Sequence, residues 1–130
     1  TATIAGTETD PSLVNNTSSV PLVPTIPPVA VNDATTTPED TPVTLIVTTN
    51  DTDADGTINI ATVDLDPATA GIQNTYTVAL EGTYTVDNSG NVTFVPVLNF
   101  NGPATPVNYT IQDNIGASSN IATITITCSQ

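Results

Sequence analysis

Ala122-Thr123-Ile124-Thr125-Ile126-Thr127 alternates apolar and hydroxylated residues without a break. A period of two puts Ala122, Ile124 and Ile126 on one face and the threonines on the other. That is the pattern of a strand with one buried side. Val107-Asn108-Tyr109-Thr110-Ile111 repeats it just upstream, with Val107, Tyr109 and Ile111 as the inward set. Asn114 to Ser119 turns the chain between them.

Working backwards, short apolar runs keep recurring between turn signals. Val92 and Phe94 follow the turn Asn88-Ser89-Gly90-Asn91, and Asn99-Phe100-Asn101-Gly102 reads as a corner. Tyr76, Val78 and Leu80 share a face, Glu81-Gly82 reads as a two-residue turn, and Tyr84 and Val86 lead the next strand. Ile58 to Leu65 is a further strand. Val43 to Thr48 reads as a strand buried largely on both faces. Val29-Ala30-Val31 opens the domain, and Asn32 to Asp40 reads as a polar connection. The tally is roughly seven or eight strands over about 100 residues, the spacing of an antiparallel sandwich. The expected fold class is all-β, an antiparallel sandwich over residues 29–130.

Residues 1–28 differ. Asn15-Asn16-Thr17-Ser18-Ser19 precedes prolines at 21, 24, 27 and 28, which break helix and central strand alike. This segment reads as an extended linker, or as an arm that adds to a sheet edge of its own or a neighbouring copy.

The chain carries 13 carboxylates and no Lys, Arg or His, for a net charge of −13. Nucleic-acid binding by counterion displacement and attraction to anionic lipid both need cations that are missing. Imidazole metal sites, Ser-His-Asp triads and Schiff-base lysines are equally excluded. Missing lysines also exclude Lys–Asn isopeptide cross-links. Cys128 stands alone, so no internal disulfide forms. It reads as a small apolar residue closing a strand, or as a link to a neighbouring subunit. Tyr76, Tyr84, Phe94 and Tyr109 lie on apolar strand phases and are expected in the core, with Phe100 anchoring its corner. Paired carboxylates for glycoside hydrolysis lack an evident cleft, so no catalytic residue is expected.

The sharpest local feature is Asn50-Asp51-Thr52-Asp53-Ala54-Asp55-Gly56. Three aspartates at alternate positions, closed by a glycine, can wrap oxygens around one ion. Ca²⁺ takes six to eight oxygen ligands in flexible geometry. Without a cation these charges repel, and no basic side chain neutralises them. The spacing is not an EF-hand, whose twelfth position is Glu; here it is Thr62, between strands. A solvated acidic loop stabilised by Asx turns is the alternative. Supporting oxygens are available at Asn32, Asp33, Glu39, Asp40, Asp64, Asp66 and Asp113.

Val29-Ala30-Val31-Asn32-Asp33, Pro38-Glu39-Asp40-Thr41-Pro42-Val43-Thr44 and the Asp-rich loop together resemble the opening of a bacterial cadherin-like or VCBS-like tandem repeat. Gly90 to Pro96, Asn99 to Gly102, Val107 to Asp113 and Ser119 to Ile126 resemble its second half, in the same order. The resemblance implies an immunoglobulin-like β-sandwich of about 7–8 strands from a large secreted or surface adhesin, repeated as a stalk and stiffened by Ca²⁺. It implies Asn32, Asp33, Glu39, Asp40, Asp51, Asp53 and Asp55 as ligand positions. Three functions follow as expectations: an extracellular structural and adhesive module whose partners are neighbouring copies, a filament subunit assembling through the arm, and a calcium-dependent binder of surface glycans.

Overall fold

The computed structural model describes residues 26–130; residues 1–25 of the expected arm lie outside the described residues. Nine strands follow in order: β1 (Asp33–Pro38), β2 (Val43–Ile46), β3 (Ile58–Asp64), β4 (Thr75–Val78), β5 (Gly82–Val86), β6 (Asn91–Pro96), β7 (Gly102–Pro103), β8 (Val107–Asp113) and β9 (Ala122–Ser129). They form two sheets, β1-β9-β8-β3 with β7 also on β9, and β2-β6-β5-β4. The fold is an all-β, immunoglobulin-like sandwich.

The alternation that decides the class is realised residue for residue. In β9, Ala122, Ile124, Ile126 and Cys128 are buried and the threonines half-buried. In β8, Val107, Tyr109, Ile111 and Asp113 point inward. Facing them from the other sheet, Tyr84 and Phe94 pack with ring centroids 4.6 Å apart and planes tilted by 42°. Each aliphatic or Phe side chain fully removed from water contributes about 1.5–3 kcal/mol. Cys128 is one of these core residues.

Four local expectations shift. β1 occupies a stretch whose polarity reads as a connection. It is an edge strand pairing in parallel with β9, Asp33 opposite Ile124 through Pro38 opposite Ser129. Only Thr37 in it is buried, so it carries no apolar signature. β2 is likewise an edge strand, with one face exposed rather than both buried. The β4–β5 turn centres on Ala79-Leu80, two residues early, closed by Glu81 N–H donating to Val78 O (3.1 Å). Tyr76 lies outside the core at 36% exposure, because β4 is the outer strand of its sheet.

β3 pairs with β8 at Ile58–Asp113 and Asn59–Gln112, slips, and rejoins at Asp64–Thr110. This bulge bends the strand locally, and across it Thr62 Oγ1 accepts from Gln112 N–H (2.9 Å).

Candidate metal centre

The Asp-rich loop divides its aspartates between two jobs. Asp51 is buried. Its Oδ1 accepts from Val31 N–H (2.8 Å), and the Tyr109 hydroxyl lies 3.0 and 2.9 Å from its two oxygens. The same hydroxyl lies 3.1 Å from Asp33 Oδ2, 3.1 Å from Val31 O and 3.2 Å from Val47 O. Five acceptor atoms thus lie within reach of a single hydroxyl proton. Burial raises the pKa of Asp33 and of Asp51, outweighing the Tyr109 hydrogen bond that favours their charged forms. Burial, then the two carboxylates, raise that of Tyr109, so the phenol stays neutral. Asp33 and Asp51 anchor the first residues of the domain to β8.

Asp53 and Asp55 turn the other way and meet Asp113 at the end of β8. One carboxylate oxygen from each lies within 4.8 Å of the others. Asp113 is only 2% exposed. Its Oδ1 accepts from Ile115 and Ala117 N–H, both 2.9 Å, while its Oδ2 is shielded from solvent and accepts nothing among the described residues. Both oxygens of Asp53 are shielded too and make no well-formed hydrogen bond among the described residues, the Asp55 N–H lying near enough only to favour the charge slightly. Asp55 is exposed, and its Oδ2 accepts from Ile26 N–H (2.9 Å). Asn114 Oδ1 accepts from Thr57 N–H (3.1 Å). A Cβ on Gly56 would meet Asn114 Oδ1 and lie 2.9 Å from Asp53 Oδ2, so glycine keeps this oxygen-lined cradle open. Burial first, then the Asp55 and Asp113 carboxylates, raise the Asp53 pKa.

Shielded carboxylate oxygens without donors are costly, and a cation is the usual remedy. The clustered donors are all oxygen, from three carboxylates. That suits a hard divalent ion rather than zinc or copper.

The remaining predicted ligands lie elsewhere. Asn32 uses Oδ1 to accept from Thr123 N–H (3.0 Å). Glu39 and Asp40 follow the far end of β1, a strand about 20 Å long at ~3.3 Å per residue. There Glu39 N–H donates to Ser129 O (2.6 Å) and Asp40 caps Asn99 N–H. The structure therefore brings Asp53 and Asp55 together with Asp113, assigns Asp33 and Asp51 to the Tyr109 hub, and removes Asn32, Glu39 and Asp40 from the cluster. Asn114 carries no sequence signal beyond following Asp113. Asp64 ends β3 and Asp66 lies in the loop after it.

Residues 25–127 match the family described as Bacterial Ig domain. The chain belongs to that family. Bacterial Ig domains occur in bacterial surface proteins and are typically non-catalytic. This bacterial Ig domain matches no curated protein and no solved structure. Among its described residues no helix is long and apolar enough to cross a membrane.

Proposed function

We propose that this bacterial Ig domain is a non-catalytic, extracellular structural and adhesive module of the cadherin-like or VCBS-like kind. It works beside neighbouring copies and is stabilised by Ca²⁺ held between Asp53, Asp55 and Asp113. The observation that carries the reading is Asp113 Oδ2, buried beside a second carboxylate with no donor. Ca²⁺ supplies the missing counter-charge. Mg²⁺ demands near-ideal octahedral geometry, which an open loop and a strand end do not impose. Asp55 accepts from Ile26 N–H at the start of the domain, so the ion fixes the segment leading into the sandwich. That is where a stalk module needs stiffness.

Calorimetric titration of Ca²⁺ into chelator-treated protein tests this. One ion per chain, with binding abolished in Asp113→Asn and retained in Asp40→Asn, is expected. The absence of binding heat in the unmodified protein, together with an unchanged unfolding temperature, overturns the reading.

A further inference from the structure

The bulge in β3 borders a groove on the outer face of the β1-β9-β8-β3 sheet. The groove, ≈ 460 Å³ in volume, lies over β8, its lining including Asp64, Thr110, Gln112, Ser118, Ile72 and Ile121. Thr110 and Gln112 point away from Asp113 and the inward face, so the groove is separate from the metal cluster. One wall is the 66–73 loop, and it is built rigidly. Asp64, only 8% exposed, accepts at Oδ1 from both ends of that loop, Asp66 N–H (2.9 Å) and Gln73 N–H (3.1 Å). Gln73 Nε2 donates back to Ala70 O (2.8 Å) and Thr69 to Asp66 (2.7 Å). Among the described residues, Asp64 Oδ2 and the side-chain polar atoms of Thr110, Gln112 and Ser118 make no hydrogen bond. Ile121 also lines the groove, and both it and Ile72 of the loop wall are exposed.

We propose that this groove binds a neutral saccharide. Its volume falls in the range of small-ligand sites, about 300–1,000 Å³. Hydroxyl, amide and carboxylate groups on the floor complement ring hydroxyls, with a charge-assisted bond at Asp64. Ile72 and Ile121 suit the C–H faces of a pyranose. Three other ligand classes are disfavoured. Anionic sugars and phosphates meet no cation, since the chain has none. An added β-strand finds no opening between β3 and β8, because Gln112 N–H already donates to Thr62 Oγ1 (2.9 Å). A purely apolar ligand would leave the polar floor unsatisfied. The proposal is independent of the calcium reading.

Two-dimensional amide NMR of the full chain tests it, with a panel of neutral mono- and disaccharides at millimolar concentration and sialyllactose as the anionic comparison. At least one neutral sugar is expected to shift the amides of Thr110, Gln112 and Ser118, equally in Ca²⁺ and in EDTA. Gln112→Ala is expected to weaken that binding about tenfold, and Ile121→Asp to abolish it, both with native spectra. The proposal is overturned if no neutral sugar moves these amides, if sialyllactose moves them as strongly, if EDTA removes the effect, or if both variants bind as the unmodified protein does.

Discussion

Asp113 Oδ2 and the Asp53 carboxylate oxygens are shielded close together at the end of β8, with no hydrogen bond to them among the described residues. Without a cation this arrangement is a source of instability, and with one it is a clamp. Asp113→Asn separates the two states. The amide keeps the Oδ1 acceptor used by Ile115 and Ala117 but removes a charge. In chelator the variant is expected to unfold at a higher temperature than the unmodified protein. In saturating Ca²⁺ it is expected to lose roughly 3–4 kcal/mol of the ion's stabilisation, the linkage value at ~100–1,000 times the dissociation constant. Paired melts in EDTA and in Ca²⁺ check both signs.

The two buried tyrosines behave oppositely. The Tyr109 hydroxyl has a ring of acceptors within reach of its one proton, whereas the Tyr84 hydroxyl is buried with no partner and its pKa is pushed up to about 12, mainly by burial. Tyr109→Phe is expected to cost about 1–3 kcal/mol, because Asp33 and Asp51 lose their shared donor. Tyr84→Phe is expected to be neutral or mildly stabilising. Urea unfolding of both variants measures the contrast.

Stability in chelator should fall as pH rises from about 4 toward neutrality. Asp33, Asp51 and Asp53 all have pKa values raised above 3.8 in the fold, chiefly by burial. A raised carboxyl binds its proton more tightly folded than unfolded. Its contribution is full below the unfolded value and is lost as pH passes the folded one. Asp87 opposes this: its hydrogen bonds with Asn91 and from Ser89 lower its pKa, so its contribution is lost as pH falls. That loss falls at and below the ordinary value of 3.8, whereas the three raised groups act above it. Denaturant midpoints across this range in EDTA check the slope, and saturating Ca²⁺ should reverse it.

Leu80 occupies the β4–β5 turn with φ at 68° and 86% of its surface exposed. A left-handed backbone costs a side-chain-bearing residue about 1–2 kcal/mol, and glycine little. Leu80→Gly is therefore expected to raise stability by about 1 kcal/mol, seen as a higher denaturant midpoint at unchanged slope. The turn falls here rather than at Glu81-Gly82 because Gly82 is committed to β5. A Cβ there would sit 2.5 Å from Val95 O and 2.6 Å from the Phe94 ring.

The inner strands were legible because their burial is periodic. Tyr109, Ile111, Ile124 and Ile126 alternate with polar residues and stand where that alternation puts them. Edge strands were not. Thr35 and Thr36 in β1 gain a parallel partner without burying apolar surface, so polarity hides the strand. The cluster was half legible. Asp53 and Asp55 stand out by local spacing, but Asp113 joins only through the β3–β8 register. Asp51 follows the same spacing yet turns inward, because Tyr109 and Val31 supply better partners there. The outer groove was invisible for a similar reason, as it borders a slip in strand register that leaves no mark in hydropathy.

Thermal unfolding of the full chain in millimolar Ca²⁺ and in EDTA tests the central claim most directly. The account predicts a midpoint several degrees higher with Ca²⁺, a difference that disappears in Asp113→Asn. Identical midpoints for the unmodified protein in the two solutions would contradict it.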